Sequence, residues 1–161
     1  MIINNNLAVN TFDNGVTASE KEDGYQYILV ADFKKIELVD RETYTVSFNI
    51  SQTKNGSGKY NAGPLSIPTP DKPEKYLMDR TSYVINSRSS FSFTYNKNTQ
   101  SGIAVYTDLV LLRNGTGATI KNLKIERGDA ATPYLPNKNS LTPSKQAIFK
   151  AGGVFEDIYP I

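Results

Sequence analysis

With 161 residues, no cysteine, no histidine and a formal net charge of +2, the chain is expected to form one domain held by buried apolar surface and backbone hydrogen bonds, without disulfides or thiolate metal sites. The missing histidines remove the usual general base near neutral pH and the commonest zinc or copper ligand, which argues against an enzyme; 18 basic against 16 acidic side chains create no field that calls for nucleic acid. No run reaches the roughly 18 to 20 apolar residues of a membrane span, and the start, Met1 to Asn6, lacks the basic and apolar regions of a secretory signal, so neither membrane insertion nor export is expected.

Strands are predicted first at Tyr25 to Val30 and Phe33 to Val39, bounded by turn-forming residues. The clearest is Tyr44 to Ser51, where large apolar and small polar residues alternate strictly, the pattern of a half-buried strand. Gln52 to Arg80 reads as a long Lys, Asn, Gly, Ser and Pro-rich segment. A structureless loop of that length is unusual in a compact domain, so part of it, around Leu65 to Ile67 or Lys75 to Leu77, is expected to form an edge strand. Ser82 to Ile85 and Phe91 to Asn96 follow. Ile103 to Leu112 ends apolar on both parities and is expected to be central. Asn114-Gly115 suits a hairpin from Leu112 into a last strand at Ile120 to Glu126. Beyond a linker at Asn137 to Ser144, a short helix from Pro143 places Ala147, Ile148 and Phe149 before Gly152-Gly153. The fold class is therefore all-β: an antiparallel β-sandwich over residues 1–136 with a C-terminal linker and tail over 137–161 that contains one short helix.

Several stretches carry a resemblance. Asn6-Leu7-Ala8-Val9-Asn10-Thr11-Phe12, the Tyr44 to Phe48 strand and the closing Ile120 to Gly128 resemble jelly-roll carbohydrate-binding modules. The segment Glu126-Arg127-Gly128-Asp129-Ala130-Ala131-Thr132-Pro133-Tyr134-Leu135-Pro136 is similar to the ending of such modules in tail, baseplate and neck proteins of phages infecting Gram-positive bacteria. That resemblance implies a virion protein, made in the host cytoplasm, whose sandwich binds cell-wall or capsule polysaccharide without catalysis, alongside other virion proteins and as a homo-oligomer. Physically, Gly128 permits a sharp turn and Pro133 and Pro136 hold the chain extended, so that Tyr134 packs back on the sandwich as a latch. Relatives of this kind often hold a structural calcium. Asp13 matches one ligand, but Asn122 stands where a second acid is expected, so no cofactor or metal is expected here.

Glycan-binding side chains should have the opposite strand parity to the core. With Ile103, Val105 and Leu109 inward, Tyr106 and Asp108 face outward, a ring to stack on a sugar and a carboxylate to accept its hydroxyl protons. Arg88, Tyr83 and Tyr25 are candidate neighbours. Tyr60 and Tyr76, in the irregular middle segment, either rim the groove or anchor their loop. The 10 tyrosines must do the stacking, since the chain has no Trp. The tail residues Ile148, Phe149, Phe155 and Tyr159 are candidates for docking on a larger assembly, and the alternative to glycan binding is a structural role built on protein contacts. Glu20, Glu22 and Asp23 are taken as a solvated turn rather than an acid/base pair.

Overall fold

The computed structural model describes residues 6–17, 26–52, 59–78, 81–84, 87–107 and 118–134. These contain eight strands: β1 Val16–Thr17, β2 Gln26–Asp32, β3 Thr43–Gln52, β4 Lys59–Ser66, β5 Thr81–Val84, β6 Ser87–Thr94, β7 Gln100–Thr107 and β8 Ala118–Arg127. They form two antiparallel four-stranded sheets, one ordered β1-β8-β3-β6 and the other β2-β7-β4-β5. The expected all-β sandwich is what the chain makes.

Alternation explains the core. Tyr44, Val46, Phe48 and Ile50 of β3 are at most 2% exposed and join Phe91 and Phe93 of β6 and Ile120, Leu123 and Ile125 of β8. The second sheet contributes Ile28, Val30, Ala62, Ile103 and Val105 to the same cluster. Each large apolar side chain withdrawn in this way stabilises the fold by roughly 1.5–3 kcal/mol. Tyr44 keeps its polar end satisfied by accepting from the Val39 amide at 2.8 Å.

β7 is central, as its composition suggests, flanked by β2 and β4. Two expectations are corrected. Phe33 to Val39 is not a strand: Phe33–Lys35 is a 3-10 turn, started by Asp32, whose carboxylate accepts from the Lys34 amide at 2.9 Å. Phe33 and Ile36 are both buried, a spacing of three that fits a turn and not a strand. Phe33 stacks on Phe93 at 5.6 Å and meets Tyr95 edge-on at 5.2 Å. The long middle segment holds a full strand, β4, which lies inside its sheet between β7 and β5 rather than at an edge. Residues 76–78 do run along its margin: Leu77 bridges Leu65, the Met78 amide donates to the Pro64 carbonyl at 2.9 Å and the Ser66 amide to the Tyr76 carbonyl at 2.9 Å. The hairpin expected at Asn114, the expected C-terminal helix and residues 137–161 lie outside the described residues.

The segment after β8 folds back over the outer face of the first sheet. Gly128, at φ +114, makes the turn; its amide donates to the Thr43 carbonyl at 2.9 Å and its carbonyl accepts from Thr45 Oγ1 at 2.8 Å. Ser92 donates to the Asp129 carbonyl at 3.1 Å. Thr132 is then clamped: its amide donates to Glu126 Oε1 at 2.7 Å and its hydroxyl to Oε2 at 2.6 Å, while Lys124 Nζ donates to the Thr132 hydroxyl and, at 2.9 Å, to the Pro133 carbonyl. The predicted latch is present.

Candidate functional site

The two outer faces of the sandwich differ. On the first sheet, Thr45, Ser47, Lys124 and Glu126 face away from the apolar core and are nonetheless buried, beneath the latch. Arg88 belongs to this side. It lies on β6 opposite Asn49, donates to Ser47 Oγ at 2.8 Å, Asn49 Oδ1 at 3.2 Å and the Asn122 carbonyl at 3.0 Å, and sits 5.4 Å from the centre of the Tyr134 ring. The Tyr134 hydroxyl donates to Asp13, which also accepts from Thr11 at 3.0 Å. Arg88 therefore does not neighbour Tyr106, which is on β7 of the other sheet; it fastens the latch.

The second sheet presents a different surface. Its strand pairings set residues in rows across β2, β7 and β4. Ile28, Val105 and Ala62 form one row, and all three are buried in the main core. The next row toward one end is Tyr27, Tyr106 and Asn61, continued on β5 by Ser82. On the other side of the core row stand Leu29, Ala104 and Gly63. Since successive rows alternate between faces, Asn61 shares the outer face with Leu29 and Ala104, and the register places Tyr27 and Tyr106 in its row. That Ala104 faces away from the core is independently visible, because it packs with Leu65 and Leu77 in a separate small apolar cluster. Neighbouring strands lie about 4.8 Å apart, so the row sets two tyrosines and a carboxamide at close, regular intervals.

The margin of this face is built by residues 66–78. The Tyr76 amide donates to Ser66 Oγ at 3.0 Å, and its ring is 39% exposed with Lys72 Nζ 5.3 Å from its centre. The paired bridge Thr69 to Lys72 holds the intervening turn. Tyr76 thus anchors the segment through its backbone and leaves its ring partly exposed at the margin of the sheet. Leu29, at the opposite border of the sheet, is 46% exposed.

Of the residues singled out from sequence, Tyr106 falls on this row and Tyr76 on its margin. Tyr60 and Tyr83 are paired with each other on β4 and β5, one register step away from the Tyr106 row. Tyr25, Asp108 and the tail residues Ile148, Phe149, Phe155 and Tyr159 lie outside the described residues. Tyr27 was not singled out, although its parity with Leu29, against Ile28 and Val30, was available in the sequence. Among the described residues no group of three His, Cys, Asp or Glu side chains gathers in a metal-binding cluster.

No protein-family model matches the chain, and no curated protein matches it significantly. Solved structures similar to it include BiXyn10A CBM1 in apo form, with a TM-score of 0.43 and 16% identity over 64% of this chain and 63% of that one. Another is the Clostridium thermocellum endo-1,4-beta-D-xylanase 10B structure of CBM22-1 and GH10 modules complexed with xylohexaose, with a TM-score of 0.40 and 16% identity over 81% of this chain and 25% of that one. A CBM4 structure gives 0.38 and 18% over 73% and 80%. The matches thus span less than two thirds of the first two chains. Likenesses this remote define neither a family nor a ligand for the protein.

Proposed function

We propose that the protein is a non-catalytic carbohydrate-binding module whose site is the outer face of the β2-β7-β4-β5 sheet. The observation that carries this reading is the register that sets Tyr27, Tyr106 and Asn61 in one row across β2, β7 and β4. Phenol faces stack on the C–H faces of pyranose rings, hydroxyls and a carboxamide exchange hydrogen bonds with sugar hydroxyls, and a row across adjacent strands suits a chain of such rings. The opposite outer face is taken by the latch, and Leu77 covers the Ala104 and Leu65 part of this one, so the proposed site is its Asn61 end.

In the fuller form of the proposal the module belongs to a phage virion, its ligand is a cell-wall or capsule polysaccharide of the host, and many copies in a symmetric particle turn weak sites into firm adhesion. The latch sequence from Glu126 to Pro136 supports that setting through its resemblance to endings in tail, baseplate and neck proteins. The reading requires no calcium: the Asp13 carboxylate is engaged by Thr11 and Tyr134, and the carbonyl of Asn122 by the Arg88 guanidinium, whose positive charge opposes a divalent cation beside it.

The test is affinity electrophoresis and calorimetry with soluble cell-wall, capsule and plant polysaccharides, on the wild type and on Tyr27→Ala and Tyr106→Ala. The proposal expects binding to at least one polysaccharide and a loss of about 1–3 kcal/mol for removing one stacking ring, by analogy with the stacking of a nucleobase on an aromatic side chain. Binding that both variants retain in full places the site elsewhere, and no binding to any of them favours a structural role through protein contacts.

A further inference from the structure

At the seam between the sheets, the N-terminal residues 6–12 leave β8, where the Leu7 amide donates to the Ile125 carbonyl at 2.7 Å and the Leu123 amide to the Thr11 carbonyl at 2.9 Å. They then border β2 at its irregular step between Leu29 and Ala31. A cavity of about 180 Å³ opens there. Its walls are apolar through Val9, Phe12, Leu29 and Ile36, and Val9 and Leu29 remain 56% and 46% exposed at its mouth. Its polar groups are Asn10, Asp32 and Lys35.

Each polar group is oriented by the backbone and keeps bonding capacity. Asn10 accepts from the Phe12 amide at 2.9 Å, which leaves its NH₂ to donate. Asp32 accepts from the Lys34 amide through Oδ1 at 2.9 Å, which leaves the second carboxylate oxygen. Lys35 forms no ion pair among the described residues. Phe12 itself is held at φ +54, a conformation that costs a bulky residue on the order of 1–3 kcal/mol and persists only where its surroundings enforce it. The Asn10 side chain and the Gly15 amide, which donates to the Phe12 carbonyl at 2.8 Å, provide that enforcement. A strained aromatic and a strand irregularity therefore border the same small cavity, and both features concentrate at binding sites.

We infer that this cavity is a second ligand site, separate from the Tyr106 row, that takes a single neutral sugar ring. Its volume is below the roughly 300–1,000 Å³ of sites for drug-sized ligands, so its occupant is one ring and not a chain segment. Apolar walls meet the C–H face of a pyranose, the Asp32 carboxylate accepts from neighbouring hydroxyls, and the Asn10 amide and Lys35 ammonium donate to them. One acid and one base leave no net charge to favour an ionic ligand.

The experiment is an amide chemical-shift titration with methyl glucoside, methyl galactoside, methyl xyloside and N-acetylglucosamine, each alone. Saturable shifts at residues 9–12 and 29–36 are expected with at least one sugar. Asn10→Asp and Asp32→Asn each keep the side-chain acceptor that shapes the backbone and change the group offered to the ligand. Together they should weaken binding about tenfold, the equivalent of losing one charge-assisted hydrogen bond, with the rest of the spectrum unchanged. Tyr106→Ala should leave these shifts intact, whatever it does to polysaccharide binding. The inference is overturned if no sugar gives saturable shifts there, if the double variant binds as the wild type does, or if Tyr106→Ala abolishes them.

Discussion

Lys124 and Glu126 stand two residues apart on β8, facing away from the apolar core, with both side chains 1% exposed and Nζ 3.0 Å from Oε2. A strand exposing that face to water would leave the pair solvated and nearly worthless. Here the latch covers it, and the desolvation is offset because Thr132 and the Pro133 carbonyl fill the remaining bonding positions. Burial pushes the Glu126 carboxyl up, but the Thr132 amide and hydroxyl and the Lys124 ammonium outweigh it and hold the group below the usual glutamate range. A depressed carboxyl contributes stability that is present above its unfolded pKa and is lost as pH falls through the lower folded value. Glu126→Gln is therefore expected to cost roughly 3–5 kcal/mol at pH 7 in urea unfolding, because it leaves Lys124 buried without its counter-charge. The gap to wild type should close as the pH is lowered below the ordinary glutamate pKa of about 4.3. A gap that is constant with pH would contradict this account of the latch.

At the scale of elements, legibility followed periodicity. β3 was plain because Tyr44, Val46, Phe48 and Ile50 alternate with Thr45, Ser47 and Asn49, whereas in β8 the alternation breaks at Asn122, so that Ile120 and Leu123, three apart, both enter the core. β4 was hidden by composition: Gly63-Pro64 and the polar Lys59 and Asn61 mimic a loop, and its place is set by pairing on both sides, which local sequence does not encode. The Phe33 turn was misread because Phe33 and Ile36 look apolar enough for a strand, and only their spacing of three distinguishes the two. Close packing between strands also leaves a mark on glycine. A Cβ on Gly102 would lie 2.4 Å from the Ala31 carbonyl oxygen, at the irregular step of β2. Gly102→Ala should lower stability by more than about 1 kcal/mol, since backbone rather than a flexible side chain must yield; an unchanged midpoint of unfolding would show that β2 and β7 pair differently.

At the scale of the molecule, the chain turns one sandwich into two unlike surfaces. One outer face, with Arg88, Lys124 and Glu126, is closed by residues 128–134, and the other sheet has Tyr27, Tyr106 and Asn61 in one row of its register. The candidate site was partly legible, because parity alone selects Tyr106 once Ile103 and Val105 are assigned to the core. Arg88 could not be sorted from sequence, since an outward residue on β6 belongs to whichever sheet β6 joins, and that is a property of the topology. The claim on which the account rests is that recognition uses the outer face of the second sheet. Amide chemical-shift mapping of the wild type with an oligosaccharide of whichever polysaccharide it binds tests this most directly. The account predicts perturbations centred on residues 27–29, 61–63 and 104–106, and perturbations centred on residues 45–49, 88–92 and 128–134 would contradict it.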